Sequence, residues 1–456
     1  MREPSVEFVN VFEAIPTLAL WLNLAGPERV RGILKDRFSA AEADLAVDFI
    51  TAYVGDDRAA IDRLKADADG PAPSRFAGYA LGRIELKRGK TDAACQWFRK
   101  SGARADAVES RRMAISVLLR EKDFQELAKL RNDPAYEKLI TPHDALKIAI
   151  GTRDWRGIFA WVPITQLETF KSDILVVAII AGFAWAFFLA HLGEWPGLFS
   201  KTSLLCLFAL VCGVISVTPT LYAVILQDDI WHFTEEGGVP QMFAYFIGGV
   251  GLREETCKLL LFVPLLPFLI KRDDELEVLI VASFVGLGFA FEENGSYFVS
   301  SLGTDAPGRF VTANFFHIAM TGVNGLALFR ACTRGMRGLN EFLYVFAITV
   351  IAHGLYDALL GLPDAETGNY VSMAVFVLFS MFYFDRVHHL RNNERMTISL
   401  SGAFVFGLSL LVATAMATQM ITLGPALGIK VLVPELLGIG VLLIMFFREF
   451  GEQLAP

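Results

Sequence analysis

Val250-Gly-Leu-Arg-Glu-Glu-Thr-Cys-Lys-Leu259 runs without a break into Leu260-Leu-Phe-Val-Pro-Leu-Leu-Pro-Phe-Leu-Ile270. Together the two segments read as a membrane-spanning helix that carries Arg253, Glu254, Glu255 and Lys258. A charged side chain at the centre of a bilayer costs at least ~2.5–3.5 kcal/mol on insertion scales. Four ionisable groups within six positions therefore need a reason. Lys258 lies four residues after Glu254 and three after Glu255, so it shares a helical face with both. Pairing lowers the cost without explaining why the carboxylates are there. They are either ion-pair glue between helices or acid–base groups in a polar cavity, and the other helices decide which.

Composition sets the frame. The chain has 456 residues, 54% of them hydrophobic, and a mean hydropathy of +0.45. That exceeds the apolar share of soluble domains and indicates a multi-span membrane protein with a soluble part. A net charge of −8 with no basic run excludes a nucleic-acid partner. The cysteines, Cys95, Cys206, Cys212, Cys257 and Cys332, show no CxxC spacing, so neither a disulfide framework nor a zinc motif is expected. Glu13 and Pro16 interrupt the first apolar stretch, which does not read as a signal peptide.

Residues 1–168 read as a soluble α-helical-repeat domain. Short turns recur at Gly26-Pro27, Gly55-Asp56, Gly89-Lys90, Glu121-Lys122 and Thr152-Arg153. Similar residues follow them, and Asp57, Asp92, Asp123 and Asp154 are spaced 35, 31 and 31 apart. A period of this size with helical patterning predicts stacked helix pairs. The best copy, Gly78 to Phe98, resembles a tetratricopeptide repeat, with Leu81-Gly82, Ala94 and Phe98 at the matching offsets. Such arrays bind protein segments, so a protein partner of this domain is expected. Phe8–Ala25 is taken as the first helix of the array rather than a span, because Asn10, Glu13, Pro16 and Asn23 interrupt it.

Residues 169–456 read as a polytopic membrane domain, so the whole is an all-α protein. Nine spans are expected, at about 173–192, 203–226, 241–270, 278–300, 311–330, 341–361, 369–385, 400–422 and 427–447. Basic loops hold Lys271 and Arg272; Arg330, Arg334 and Arg337; and Arg386, Arg391 and Arg395. The alternate loops hold Asp228, Asp229, Glu235 and Glu236, or Asp364 and Glu366. The positive-inside rule puts the basic loops, and the tail with Arg448, in the cytoplasm of a multi-pass membrane protein. An odd number of spans then puts the front domain on the far side.

Four spans carry ionisable residues: Glu254, Glu255 and Lys258; Phe289-Ala-Phe-Glu-Glu-Asn294; His317, with Thr321 and Asn324 on its face; and His353-Gly-Leu-Tyr-Asp357. At about 1.5 Å per residue from each cytoplasmic end, these groups all fall roughly 17–24 Å up. Helices running in opposite directions thus place their polar groups in one layer, which scattered ion pairs would not do. A shared site is the better reading.

Two mechanisms suit this set. In one, a glutamate among 254, 255 and 293 takes a proton from the water that attacks a peptide carbonyl, and a histidine stabilises the oxyanion or protonates the amine. In the other, His317, His353 and a carboxylate such as Glu293 bind Zn²⁺. No HExxH spacing and no GxSxG turn is present. The four ordered motifs resemble the PrsW family of intramembrane proteases, itself distantly related to the CAAX prenyl proteases. They are Glu254-Glu255 with Lys258, Gly286 to Asn294, His317 with Gly322, and His353 to Asp357, and the resemblance covers about 240–360.

That resemblance implies a peptidase that cleaves membrane proteins, such as anti-sigma factors, in or near the lipid bilayer. It implies catalytic roles for Glu254, Glu255, Glu293, His317 and His353, and Asp357 would orient His353. It leaves zinc and glutamate chemistry both open. The large front domain and the extra C-terminal spans depart from the family pattern. Rival expectations are a proton- or ion-coupled transporter, since intramembrane Glu and His also build ion paths, and a membrane-anchored scaffold without catalysis.

Overall fold

The computed structural model describes residues 26–36, 38–172, 174–193, 197, 200–362, 365–391, 400–438 and 440–449. The described residues are helical and hold no strand. The chain divides into two compact units, Met1–Trp161 and Val162–Pro456. Phe8–Ala25 lies outside the described residues.

The first unit is a succession of short helices: α1 Pro27–Lys35, α2 Ala40–Gly55, α3 Arg58–Ala68, α4 Ala77–Lys87, α5 Thr91–Gly102, α6 Val108–Arg120, α7 Phe124–Arg131, α8 Pro134–Glu137 and α9 Pro142–Gly151. Two of the periodic aspartates begin helices. Asp57 accepts the amide of Ala60 at 2.9 Å and Asp123 that of Glu126 at 3.1 Å, each satisfying a donor that the helix cannot. Between α4 and α5, Gly82 lies flat against Phe98: a Cβ there would sit 2.5 Å from the ring. Leu81, Ala94 and Phe98 are fully buried in the same seam. The next helix, α10 Trp155–Thr169, crosses the unit boundary.

The second unit contains α11 Leu175–Leu192; α12 Lys201–Val224, continued by a π-helical turn at Ile225–Ile230; α16 Glu275–Ser301; α17 Ala306–Val311; and α18 Ala313–Thr333. These are followed by α19 Gly335–Leu360, α20 Ala365–Leu390, α21 Leu400–Leu423, α22 Pro425–Gly438 and α23 Gly440–Glu449. Six described helical stretches are long and apolar enough to cross a membrane: 175–192, 201–230, 306–333, 335–360, 368–390 and 401–423. The ninth expected span falls on described residues of α22 and α23.

The third expected span is not one helix but a chain of pieces. α13 Val239–Ala244 leads into a π turn at Tyr245–Gly251, then α14 Leu252–Phe262, a 3₁₀ turn at Val263–Leu265 and α15 Leu266–Ile270. Pro264 and Pro267 bring no amide hydrogen, so the i→i−4 ladder fails where they stand. The wide turn ends at Gly251, where the backbone presses against α19. A Cβ on Gly354 would fall 2.3 Å from the Cα of Ile247, so this crossing needs glycine. It brings Glu254 to the level of His353.

α16 is the spine of the unit. Asp274 caps it by accepting from Leu276 and Glu277 at 3.0 and 3.1 Å, and 18 of its 27 residues are buried, so it has little lipid-facing surface. Gly286 lets α18 approach closely, since a Cβ there would meet the His317 carbonyl at 2.2 Å. That contact sets the pairing of Glu293 on α16 with His317 on α18.

Candidate active site

The four motifs meet at one cavity of about 1040 Å³. Glu254 from α14, Glu293 from α16, His317 from α18, and His353 and Asp357 from α19 all line it. Glu255 and Lys258 are fully buried behind the wall. The alternation comes from the helix: consecutive residues point about 100° apart, so Glu254 faces the cavity and Glu255 the helix interface.

Both carboxylate oxygens of Glu255 are hydrogen-bonded. Its Oε1 accepts from Lys258 Nζ at 2.5 Å and from His353 Nδ1 at 2.9 Å. Its Oε2 accepts from the Asn324 amide at 3.2 Å, and Thr349 in turn donates to Asn324 Oδ1 at 3.0 Å. An ionised carboxylate only accepts, so His353 carries its proton on Nδ1. Its Nε2 faces Glu254 Oε2 at 3.6 Å and Asp357 Oδ2 at 3.4 Å.

His317 has the opposite arrangement. Lys258 Nζ lies 3.0 Å from its Nδ1, and an ammonium has donors only. Nδ1 therefore accepts, and Nε2 donates to Glu293 Oε2 at 3.0 Å. Lys258 also stands over the ring of Phe289 at 4.5 Å. The two imidazoles, their centroids 5.3 Å apart, thus turn their Nε2 atoms to different carboxylates: His317 to Glu293, and His353 to Glu254 and Asp357.

Glu254 is the incomplete member. It is 8% exposed, and its Oε2 is buried without a hydrogen-bond partner. A buried polar atom left unpaired costs ~1–3 kcal/mol, more for a charged group. That atom needs water, a proton or a cation. One ligand atom each from Glu254, His317 and His353 lies within 4.8 Å of the other two. The set fits a divalent metal in donor type and spacing, with the remaining position open to the cavity. To ligate through Nε2, His317 would have to give up the proton it now donates, as metal binding to histidine generally requires.

The group brought together holds Glu254 where the sequence pattern points to Glu293. Glu293 stands one step out, against His317 and Arg309. Glu292, its neighbour, is buried on another face of α16 and pairs with Gln166. Asn294 bonds Asn314 and Arg309. Tyr297 is 45% exposed and lines the cavity. Arg309 does not stand out in the sequence, because no periodic pattern marks the short helix that carries it.

Residues 201–384 match the family model of the PrsW family intramembrane metalloproteases. No curated protein and no solved structure matches the chain. The matched segment contains α12 through most of α20, and so every residue of the cluster. It supports PrsW-type intramembrane peptidase activity in a multi-pass membrane protein. α21, α22 and α23 lie beyond it.

Proposed function

We propose that this protein is an intramembrane endopeptidase that hydrolyses peptide bonds of membrane proteins, with Glu254 at the centre of the chemistry. The observation that carries the reading is the unpartnered Glu254 oxygen facing His353 in a polar cavity within apolar helices. Water drawn to that oxygen gives up a proton as its own oxygen attacks the substrate carbonyl carbon. The C–N bond then breaks, and the proton passes from the Glu254 carboxyl to the leaving nitrogen. Glu255 does not share this role, because Lys258, His353 and Asn324 occupy it. It holds the tautomer and aim of His353. The N–H of His317, held by Glu293 in the resting arrangement, would stabilise negative charge on the carbonyl oxygen once substrate displaces that carboxylate. Asp357 steadies the other side of His353.

Glu254, His317 and His353 would hold a zinc ion, with Glu293 beside them as the spare carboxylate. When bound, such an ion supplies Lewis acidity and a more acidic water. The front unit is proposed to recruit a protein segment, as its stacked helices and the tetratricopeptide-like seam at Gly82 and Phe98 support. Anti-sigma-factor-like membrane proteins are the substrate class that the family implies, and the bacterial inner membrane the location.

The test is cleavage of fluorescein-labelled casein in detergent micelles by the purified full chain. Glu254→Gln should abolish it while the protein elutes as the wild type does. Retained cleavage in that variant would end the assignment. A transporter would instead accumulate an ion in proteoliposomes and leave casein intact.

A further inference from the structure

The cavity wall includes a cation from the first turns of the 306–333 stretch, ahead of α18. Arg309 sits on α17, a six-residue helix in the connection between α16 and α18. Its Nη2 donates to Glu293 Oε2 at 3.0 Å and its Nε to Asn294 Oδ1. The guanidinium lies over the Tyr297 ring, 3.6 Å from the centroid. Glu293 Oε2 therefore accepts from two donors, Arg309 and His317, and its position follows both.

α17 is gripped from the side away from the cavity. Phe310, next to Arg309, is 1% exposed. Its ring packs against Trp185 of α11 at 5.4 Å and Phe404 of α21 at 5.8 Å. The Trp185 indole donates to the Phe310 carbonyl at 2.8 Å. Farther along α21, Gln419 donates to the carbonyl of Leu302, where the connection leaves α16. α11 and α21 both lie outside the segment that matches the family. Neighbouring positions of one short helix thus face opposite ways, one into the site and one into helices outside the matched segment.

We propose that Arg309 is a positioning residue for the Glu293–His317 pair, and that α11 and α21 seat it by clamping Phe310. The proposal rests on the peptidase reading above. The first of the additional C-terminal helices then has a function, because with α11 it sets the aim of a guanidinium at the site without touching substrate. A reacting group misplaced by about 1 Å can cost on the order of 10²-fold in rate.

Casein cleavage by the full chain separates the outcomes. Arg309→Gln should lower kcat ~10²-fold and leave KM within about 3-fold, because geometry and not substrate binding is lost. Arg309→Lys should keep more activity than Arg309→Gln, and added guanidinium should partly restore the latter; a purely structural role gives no such rescue. Phe404→Ala, remote from the cavity, should lower kcat ~10-fold by loosening the same seat. A readout independent of turnover is thermal unfolding in detergent of Arg309→Gln, Glu293→Gln and the double variant. The double variant should unfold little below the weaker single one, since contacting residues are non-additive. Unchanged kcat in Arg309→Gln, or strictly additive unfolding shifts, would overturn the proposal. If Glu254→Gln is inactive in the same assay while Arg309→Gln is fully active, only this inference fails. If Glu254→Gln cleaves normally, the peptidase reading itself fails.

Discussion

The two ends of α16 hold the same kinds of residue and do different things with them. At its start, Glu275 accepts from Arg330 Nε at 2.9 Å and Nη2 at 2.7 Å, and also pairs with Arg334. Glu277 accepts from Thr202 at 2.7 Å and pairs with Arg272. Arg330 is completed by Glu341 at 2.5 Å. These acidic groups all have partners. Near the other end, about 27 Å along the helix, Glu293 faces His317 and Arg309, and across the cavity from them Glu254 keeps an unpaired oxygen. Complete pairing makes the first cluster glue between connections. One missing partner, next to a cavity, makes the second a place where a further group must enter. The number of charges distinguishes the clusters less than whether their hydrogen bonds close.

This contrast can be broken by removing one carboxylate at each end. Glu254→Gln should lower casein cleavage by ~10³-fold or more, within the range lost with a general base, with stability unchanged or raised because an unpaired buried charge goes. The sharper test is His353→Ala, which leaves Glu255 with one donor fewer. It should lower cleavage on a similar scale, ~10²–10⁴-fold, and also lower the unfolding midpoint in detergent. Lys258→Met tests the buried support behind the site. It strands Glu255 and frees His317 Nδ1, and should cost ~3–5 kcal/mol in reversible unfolding. Chelation followed by elemental analysis divides the two chemistries. Loss of cleavage together with loss of about one equivalent of zinc supports ligation by Glu254, His317 and His353, and unaltered cleavage in metal-free protein leaves Glu254 acting alone. The smallest effect belongs to the other end of α16: Glu275→Gln should change cleavage less than about 2-fold and stability by ~1 kcal/mol or less, as for a partly exposed pair. A large activity loss there would mean that the two clusters are not separable.

Much of the site is legible without coordinates. Glu254, Glu293, His317, His353 and Asp357 stand out because an ionisable residue in an apolar run is costly and has to be explained. Their common depth follows from helical rise alone. Other features are not readable. Arg309 stands in a short connection, where neither periodicity nor burial cost singles it out. The break of the third span at Pro264 and Pro267, and the wide turn before Gly251, are hidden inside one continuous apolar run. Glu254 and Glu255 are adjacent and chemically alike, so nothing local says which one is free.

The sequence by itself determined the helices, their apolar bodies and the layer at which polar groups sit, because these follow from composition and a fixed rise per residue. The tertiary structure alone decided which carboxylate is satisfied and which is not. That depends on what lies across the interface. Asn324, Lys258 and His353 close around Glu255, whereas the residue before it, turned by one step of the helix, opens onto the cavity.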